Sequence, residues 1–253
     1  MPLNSLSVTR FPNGVVNQAE NSIFGGALPF PVNLGYHQFN DEFFEFTAAQ
    51  WTVTETQAGA TQAIANPGNG GIIALVNTAA DDDLNAIQRV AAGITGEAWL
   101  LDPAKKFWAR FVIGVSEDTQ VDFIAGLQIT DTTPLAVSDG FFFRKSDGST
   151  TINLVACKNA TEATLAVGTA LVGTLPASGL LTNAMTLDFF WDGQGVTDGR
   201  LYGALNNVVA GYMNPGSASF CDDEALTLSF AVQNGDANAR SMWIDRALLI
   251  QEM

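Results

Sequence analysis

Phe107-Trp108-Ala109-Arg110-Phe111-Val112-Ile113-Gly114-Val115 sets Phe107, Ala109, Phe111, Ile113 and Val115 on one side of an extended chain and Trp108 and Arg110 on the other. That period of two is the signature of a strand with one face in a core. The next apolar stretch repeats it, with Val121, Phe123, Ala125, Leu127 and Ile129 in phase. Further runs at 140–145, 151–157, 185–191, 200–205, 226–234 and 241–251 are separated by clusters of Gly, Asp, Asn and Ser. Many short strands divided by turn signals, with no alternating helices, predict an all-β sandwich or barrel and not a parallel α/β sheet.

Working outward, Ser146-Asp147-Gly148, Asp192-Gly193 and Asn234-Gly235 read as turns in which glycine takes up the left-handed conformation. Only residues 81–90 invite a helical reading, because Leu84, Ile87 and Val90 recur every three residues behind an acidic triplet. A strand is the preferred reading there. Residues 1–40 stand apart as an extended N-terminal arm, and residues 41–253 form the sandwich domain. Four of the nine prolines, Pro2, Pro12, Pro29 and Pro31, fall in that arm, and proline at this density excludes both helix and central strand. The arm is nevertheless apolar, and Phe11, Phe24, Phe30 and Tyr36 are its candidate partner-binding anchors.

A 253-residue chain can bury roughly 75% of its unfolded surface and needs no staple. Cys157 and Cys221 are accordingly read as buried thiols, since two cysteines make no disulfide scaffold. Twenty-six acidic residues against 11 basic give a formal charge of -15, which repels a phosphate backbone and disfavours nucleic acid and anionic membranes as partners. No run approaches the roughly 20 apolar residues of a spanning helix, and the N-terminus lacks a signal pattern. Synthesis and assembly in a cytoplasm-like compartment are expected.

No catalytic residue and no cofactor are expected from the sequence. His37 is the only histidine, so any Ser-His-Asp, Cys-His or His-based zinc arrangement would depend on it. Glycoside hydrolysis needs two carboxylates about 5 to 9 Å apart. Sandwich glucanases place them as Glu-x-Asp-x-Glu on one strand, and no such triplet occurs here. Asp41, Glu42 and Glu45, and Asp222, Asp223 and Glu224, read as turns and solvated edges. Calcium sites follow no fixed motif, so Asp81, Asp82 and Asp83 and Asp222, Asp223 and Glu224 are the clusters to inspect, although no metal is assigned. Trp108, Phe142, Phe190, Tyr202 and Trp243 alternate away from the core set. Covering by the arm or by a neighbouring subunit is the simpler account of them, and sugar stacking is the other.

The order of motifs resembles the concanavalin A-like (laminin-G-like) jelly-roll proteins of tailed-bacteriophage virions. It is carried by Lys105-Lys106-Phe107-Trp108-Ala109-Arg110-Phe111, Asp122-Phe123 with Gly126-Leu127, and Thr130-Asp131-Thr132-Thr133-Pro134. It continues through Asp139-Gly140-Phe141-Phe142-Phe143-Arg144-Lys145-Ser146-Asp147-Gly148, Asp188-Phe189-Phe190-Trp191-Asp192-Gly193 and Trp243-Ile244-Asp245. Arg10-Phe11-Pro12-Asn13-Gly14 is similar to the start of such proteins. The resemblance implies an all-β, two-sheet antiparallel jelly-roll sandwich with an extended N-terminal arm, and a non-enzymatic head protein that decorates or cements the outer capsid surface in the virion. Its partners would be the major capsid protein and its own copies, in a homo-oligomer with a trimer favoured. A lectin-like carbohydrate-binding module of a phage appendage is the alternative.

Overall fold

The computed structural model describes residues 36–65, 71–90, 97–176 and 179–253. The first strands in chain order are β1 (Tyr36–Asp41), β2 (Trp51–Glu55), β3 (Thr61–Ile64), β4 (Ile73–Val76) and β5 (Leu84–Arg89). Next come β6 (Phe107–Val115), β7 (Val121–Gln128), β8 (Gly140–Lys145), β9 (Thr151–Lys158) and β10 (Thr161–Thr169). The last are β11 (Met185–Trp191), β12 (Leu201–Leu205), β13 (Val208–Met213), β14 (Thr227–Asn234) and β15 (Ser241–Glu252). Strand accounts for 53% of the described residues and helix for 7%, so the all-β, two-sheet antiparallel expectation is met.

One sheet runs β13-β12-β11-β6-β15-β4-β3, with β1 also paired to β15; the other runs β10-β9-β8-β7-β14-β5-β2. Residues 81–90 contain β5, as the strand reading required. The sheet starts inside the stretch assigned to the arm, because Tyr36 pairs with Glu252 and the register continues to Asp41 opposite Ala247. The boundary drawn at residue 40 from composition falls within β1.

The core is a layer of phenylalanines between the sheets. Phe111 meets Phe143, Phe189 and Phe230 at 6.5, 6.1 and 5.8 Å between ring centroids. Phe107 meets Phe141 and Phe189 at 5.4 and 5.8 Å. These tilted and edge-on pairings place ring edges against ring faces, the favoured quadrupole geometry. Gly126 allows β7 and β8 to pair here, since a Cβ on it would lie 2.4 Å from the Phe142 Cα.

The second face of the β10-to-β2 sheet is covered by the chain itself. Phe142, Ile124, Val155 and Ala231 pack with Val137 and Leu135 of the turn that follows the Thr130–Pro134 motif. For Phe142 the expected cover by the arm or by a neighbouring subunit is therefore corrected. The covering residues come from an intervening loop, whose sequence carries no periodicity to announce it.

Candidate interaction surface

On the sheet that contains β6, strand pairing lines up one row of outward side chains. Gln38 lies opposite Ile250, Ile250 opposite Trp108, Trp108 opposite Phe190, Phe190 opposite Tyr202, and Tyr202 opposite Tyr212. Alternation puts these residues outside because their neighbours Phe107, Phe189 and Leu201 point into the core. Phe190 and Tyr202 are 6.2 Å apart, Tyr202 and Tyr212 5.5 Å, and the Arg200 guanidinium lies 4.6 Å from the Tyr212 ring. Trp108, Phe190, Ala204, Leu248 and Ile250 form a buried cluster against which Tyr36 and Tyr202 pack. Tyr36, expected as an arm anchor, is thus placed on its own sheet. Phe11, Phe24 and Phe30 lie outside the described residues.

The neighbouring row holds a buried charge. Asp188 is fully buried and accepts from Arg110 Nε at 2.6 Å, Arg110 Nη2 at 3.1 Å and Trp108 Nε1 at 3.1 Å. Burial raises its pKa, and the hydrogen bonds and charge of Arg110 oppose that shift. Arg110 also donates to Asn207 Oδ1 at 2.9 Å. The ion pair therefore ties β6 and β11 to the Asn206-Asn207 turn, whose left-handed φ values of 53° and 63° suit a tight hairpin. Its three hydrogen bonds come from Arg110 and Trp108 on the neighbouring strand β6 and hold that strand to β11.

Beyond Tyr202 the surface opens. Val208 is 69% exposed, Tyr212 52% and Val209 41%, and residues 201–213, Leu-Tyr-Gly-Ala-Leu-Asn-Asn-Val-Val-Ala-Gly-Tyr-Met, contain no charged side chain. On a chain with 26 acidic and 11 basic residues, this hairpin is an apolar, uncharged edge.

A cleft of about 260 Å³ opens where β1 meets the second sheet, lined by His37, Phe39, Gln50, Arg89, Trp99 and Thr227 among others. His37 stacks on Trp99, centroids 4.3 Å apart and planes 8° from parallel. Arg89 lies 5.3 Å from the Phe39 ring and 5.2 Å from that of Trp51, with Asp41 at 3.6 Å.

Each acidic cluster has members held in the fold. Asp83 is buried and accepts from the Thr78 N–H at 2.6 Å, Thr78 Oγ1 at 2.8 Å and Thr56 Oγ1 at 3.1 Å. The Lys158 ammonium lies 2.5 Å from Asp222 and 3.2 Å from Asp223. Glu42 pairs with Arg246, and Asp41 accepts from the Phe43 N–H at 2.7 Å. Among the described residues, Asp139, Cys221 and Asp223 bring three possible metal donors within 4.8 Å of one another. A cation there would have to displace Lys158 from Asp223 and deprotonate Cys221, whose thiol burial pushes up to about 12. Sequence reading missed this grouping, because Asp139 just before β8 meets a loop more than eighty residues away and the three share no spacing.

No protein-family model and no curated protein matches the chain. Solved structures do. The carbohydrate recognition domain of Emp46p in its potassium-bound form is similar at a TM-score of 0.53 and 12% identity, over 82% of this chain and 94% of that one. Peanut lectin aligns at 0.50 and 8%, over 85% and 97%. A glycoside hydrolase family 16 endo-glucanase from Bacteroides ovatus aligns at 0.51 and 13%, over 83% and 98%. At such identities the likeness is one of fold. The chain is a concanavalin A-like jelly-roll sandwich, an architecture that these examples show in lectins and in a glycoside hydrolase alike.

Proposed function

We propose that this protein is a non-enzymatic structural component of a phage virion, decorating or cementing the outer capsid surface through protein–protein contacts. The observation that carries the reading is the exposed, uncharged β12–β13 hairpin with Val208, Val209 and Tyr212 at its surface. An apolar edge on an otherwise acidic molecule suits contact with a protein, because desolvating it costs little and brings no like charges together. The ordered motifs that resemble those of virion jelly rolls support the same assignment, as do the structural hydrogen bonds and ion pairs that hold Asp83, Asp222 and Asp223. In this reading the partners are the major capsid protein and further copies of the chain, with a trimer favoured, and arm residues Phe11 and Phe24 add to the contact. Assembly takes place in the host cytoplasm.

The test is co-sedimentation of the purified chain with assembled shells of the cognate major capsid protein. Wild type should sediment with the shells. Val208→Asp, at a site 69% exposed, should keep the fold and weaken binding by at least about tenfold, the equivalent of 1.4 kcal/mol. Absence of wild-type binding would overturn the proposal.

The His37–Trp99 cleft favours a second reading, a glycan-binding module. Aromatic faces flanked by Arg89 and Gln50 match the apolar faces and hydroxyls of a sugar. A glycan array should then give binding that Trp99→Ala abolishes; an array without hits removes this reading.

A further inference from the structure

Arg110, Arg144, Arg240 and Arg246 each donate a hydrogen bond to a carboxylate of the same chain. Arg89 differs. Its guanidinium lies against the rings of Phe39 and Trp51, and Asp41 stands 3.6 Å away, beyond hydrogen-bond reach. Among the described residues the Arg89 side chain donates no hydrogen bond, although it is only 28% exposed. Two aromatic faces therefore fix the orientation of a fork of five N–H donors whose polar edge is left over. Asp41 accepts from the Phe43 N–H through its other oxygen, so the counter-charge is itself anchored.

Arg89 lines the cleft of about 260 Å³ together with His37, Gln50 and Trp99. The side chains of His37 and Gln50 likewise make no hydrogen bond among the described residues. His37 is exposed and lies flat on the buried Trp99, which braces one ring face at the mouth of the cleft. The volume falls below the ~300–1,000 Å³ of pockets that take drug-sized ligands, and suits a single sugar ring rather than a length of chain. A guanidinium edge matches a planar carboxylate with two parallel N–H donors, a fit that a lone hydroxyl uses only in part. The formal charge of -15 disfavours anions of higher charge, which leaves a single carboxylate as the group that Arg89 selects.

We propose that this cleft recognises a monocarboxylated sugar ring, a hexuronate residue at the end of a glycan. Its carboxylate lies on Arg89, one ring face lies against His37, and its hydroxyls meet Gln50. The inference rests on the glycan-binding reading of the cleft and adds the charge of the ligand to it.

Isothermal titration calorimetry of the full chain tests it, with methyl β-D-glucuronide, its uncharged carboxamide and methyl β-D-glucoside as the three probes. At pH 7 and low salt the glucuronide should bind at least about tenfold more tightly than either neutral sugar, as a charge-assisted bidentate pair requires. The advantage should shrink at high salt and vanish in Arg89→Gln. Equal binding of the three sugars, or a preference that survives in Arg89→Gln, overturns the carboxylate assignment and leaves the glycan reading standing. Binding of none of them overturns both. The comparison of the three sugars uses the unaltered chain, so it decides the matter even where Arg89→Gln fails to fold.

Discussion

Phe111→Ala should destabilise the protein by about 3–5 kcal/mol. The side chain is fully buried and meets rings from both sheets, Phe189 on its own and Phe143 and Phe230 on the other. Truncation opens a cavity at the junction of the two layers, where strand pairing on both sides limits collapse into the space. For a chain of this size each kcal/mol moves the melting temperature by about 2–4 °C, so a fall on the order of 10 °C is expected. Phe44→Ala, at a position 67% exposed, should change stability by less than about 0.5 kcal/mol. Thermal melts of the two variants side by side make the comparison, and equal shifts would mean that the layer of rings is not the core of the fold.

Alkylation of the native protein at pH 8 should be slower than that of the unfolded chain by at least about a hundredfold. Cys157 and Cys221 are separate, buried thiols. Burial pushes Cys157 from the ordinary 9.0 up to about 11 and Cys221 up to about 12. The thiolate is the nucleophile, and two pKa units leave about a hundredfold less of it. The same shifts set an alkaline limit. The folded pKa values exceed the unfolded one, so the stability linked to these thiols is fully present below pH 9.0 and is lost as pH rises through about 11 and 12. Mass spectrometry after timed iodoacetamide treatment, with and without denaturant, reads the rates. Rapid native labelling of either cysteine would contradict the burial.

Residues with one face in the core announce themselves in the sequence. β6, β7, β8, β9, β11 and β14 stand where alternation, or an unbroken apolar run, put them, because a side chain that must leave water every second residue marks the pleat directly. β10 and β13 went unread. They lie at sheet edges, where only Val167, with Leu165 and Met213 less fully, reaches the core, too few apolar positions to mark a strand. The length of β15 conceals a second difficulty. Its register slips between Ile244 and Arg246, which brings Met242 and Ile244, and then Ala247 and Leu249, into the same core. Period-two counting changes phase at that bulge without any residue type to signal it.

The candidate surface divides in the same way. From the sequence alone came the all-β class, the acidic charge, the free thiols and the list of aromatics that turn away from the core, because each depends on composition or on neighbours within a strand. The meeting of Trp108, Phe190 and Tyr202 in one row from Ile250 to Tyr212, the Arg110–Asp188 pair beside it, the His37–Trp99 stack and the loop over Phe142 were decided by tertiary structure. Apart from the loop over Phe142, which reaches it from five to seven residues away, those contacts join residues ten to well over a hundred positions apart. Sheet order and register bring them together, and the free energy that selects one register comes from burying the whole core rather than from any local pattern.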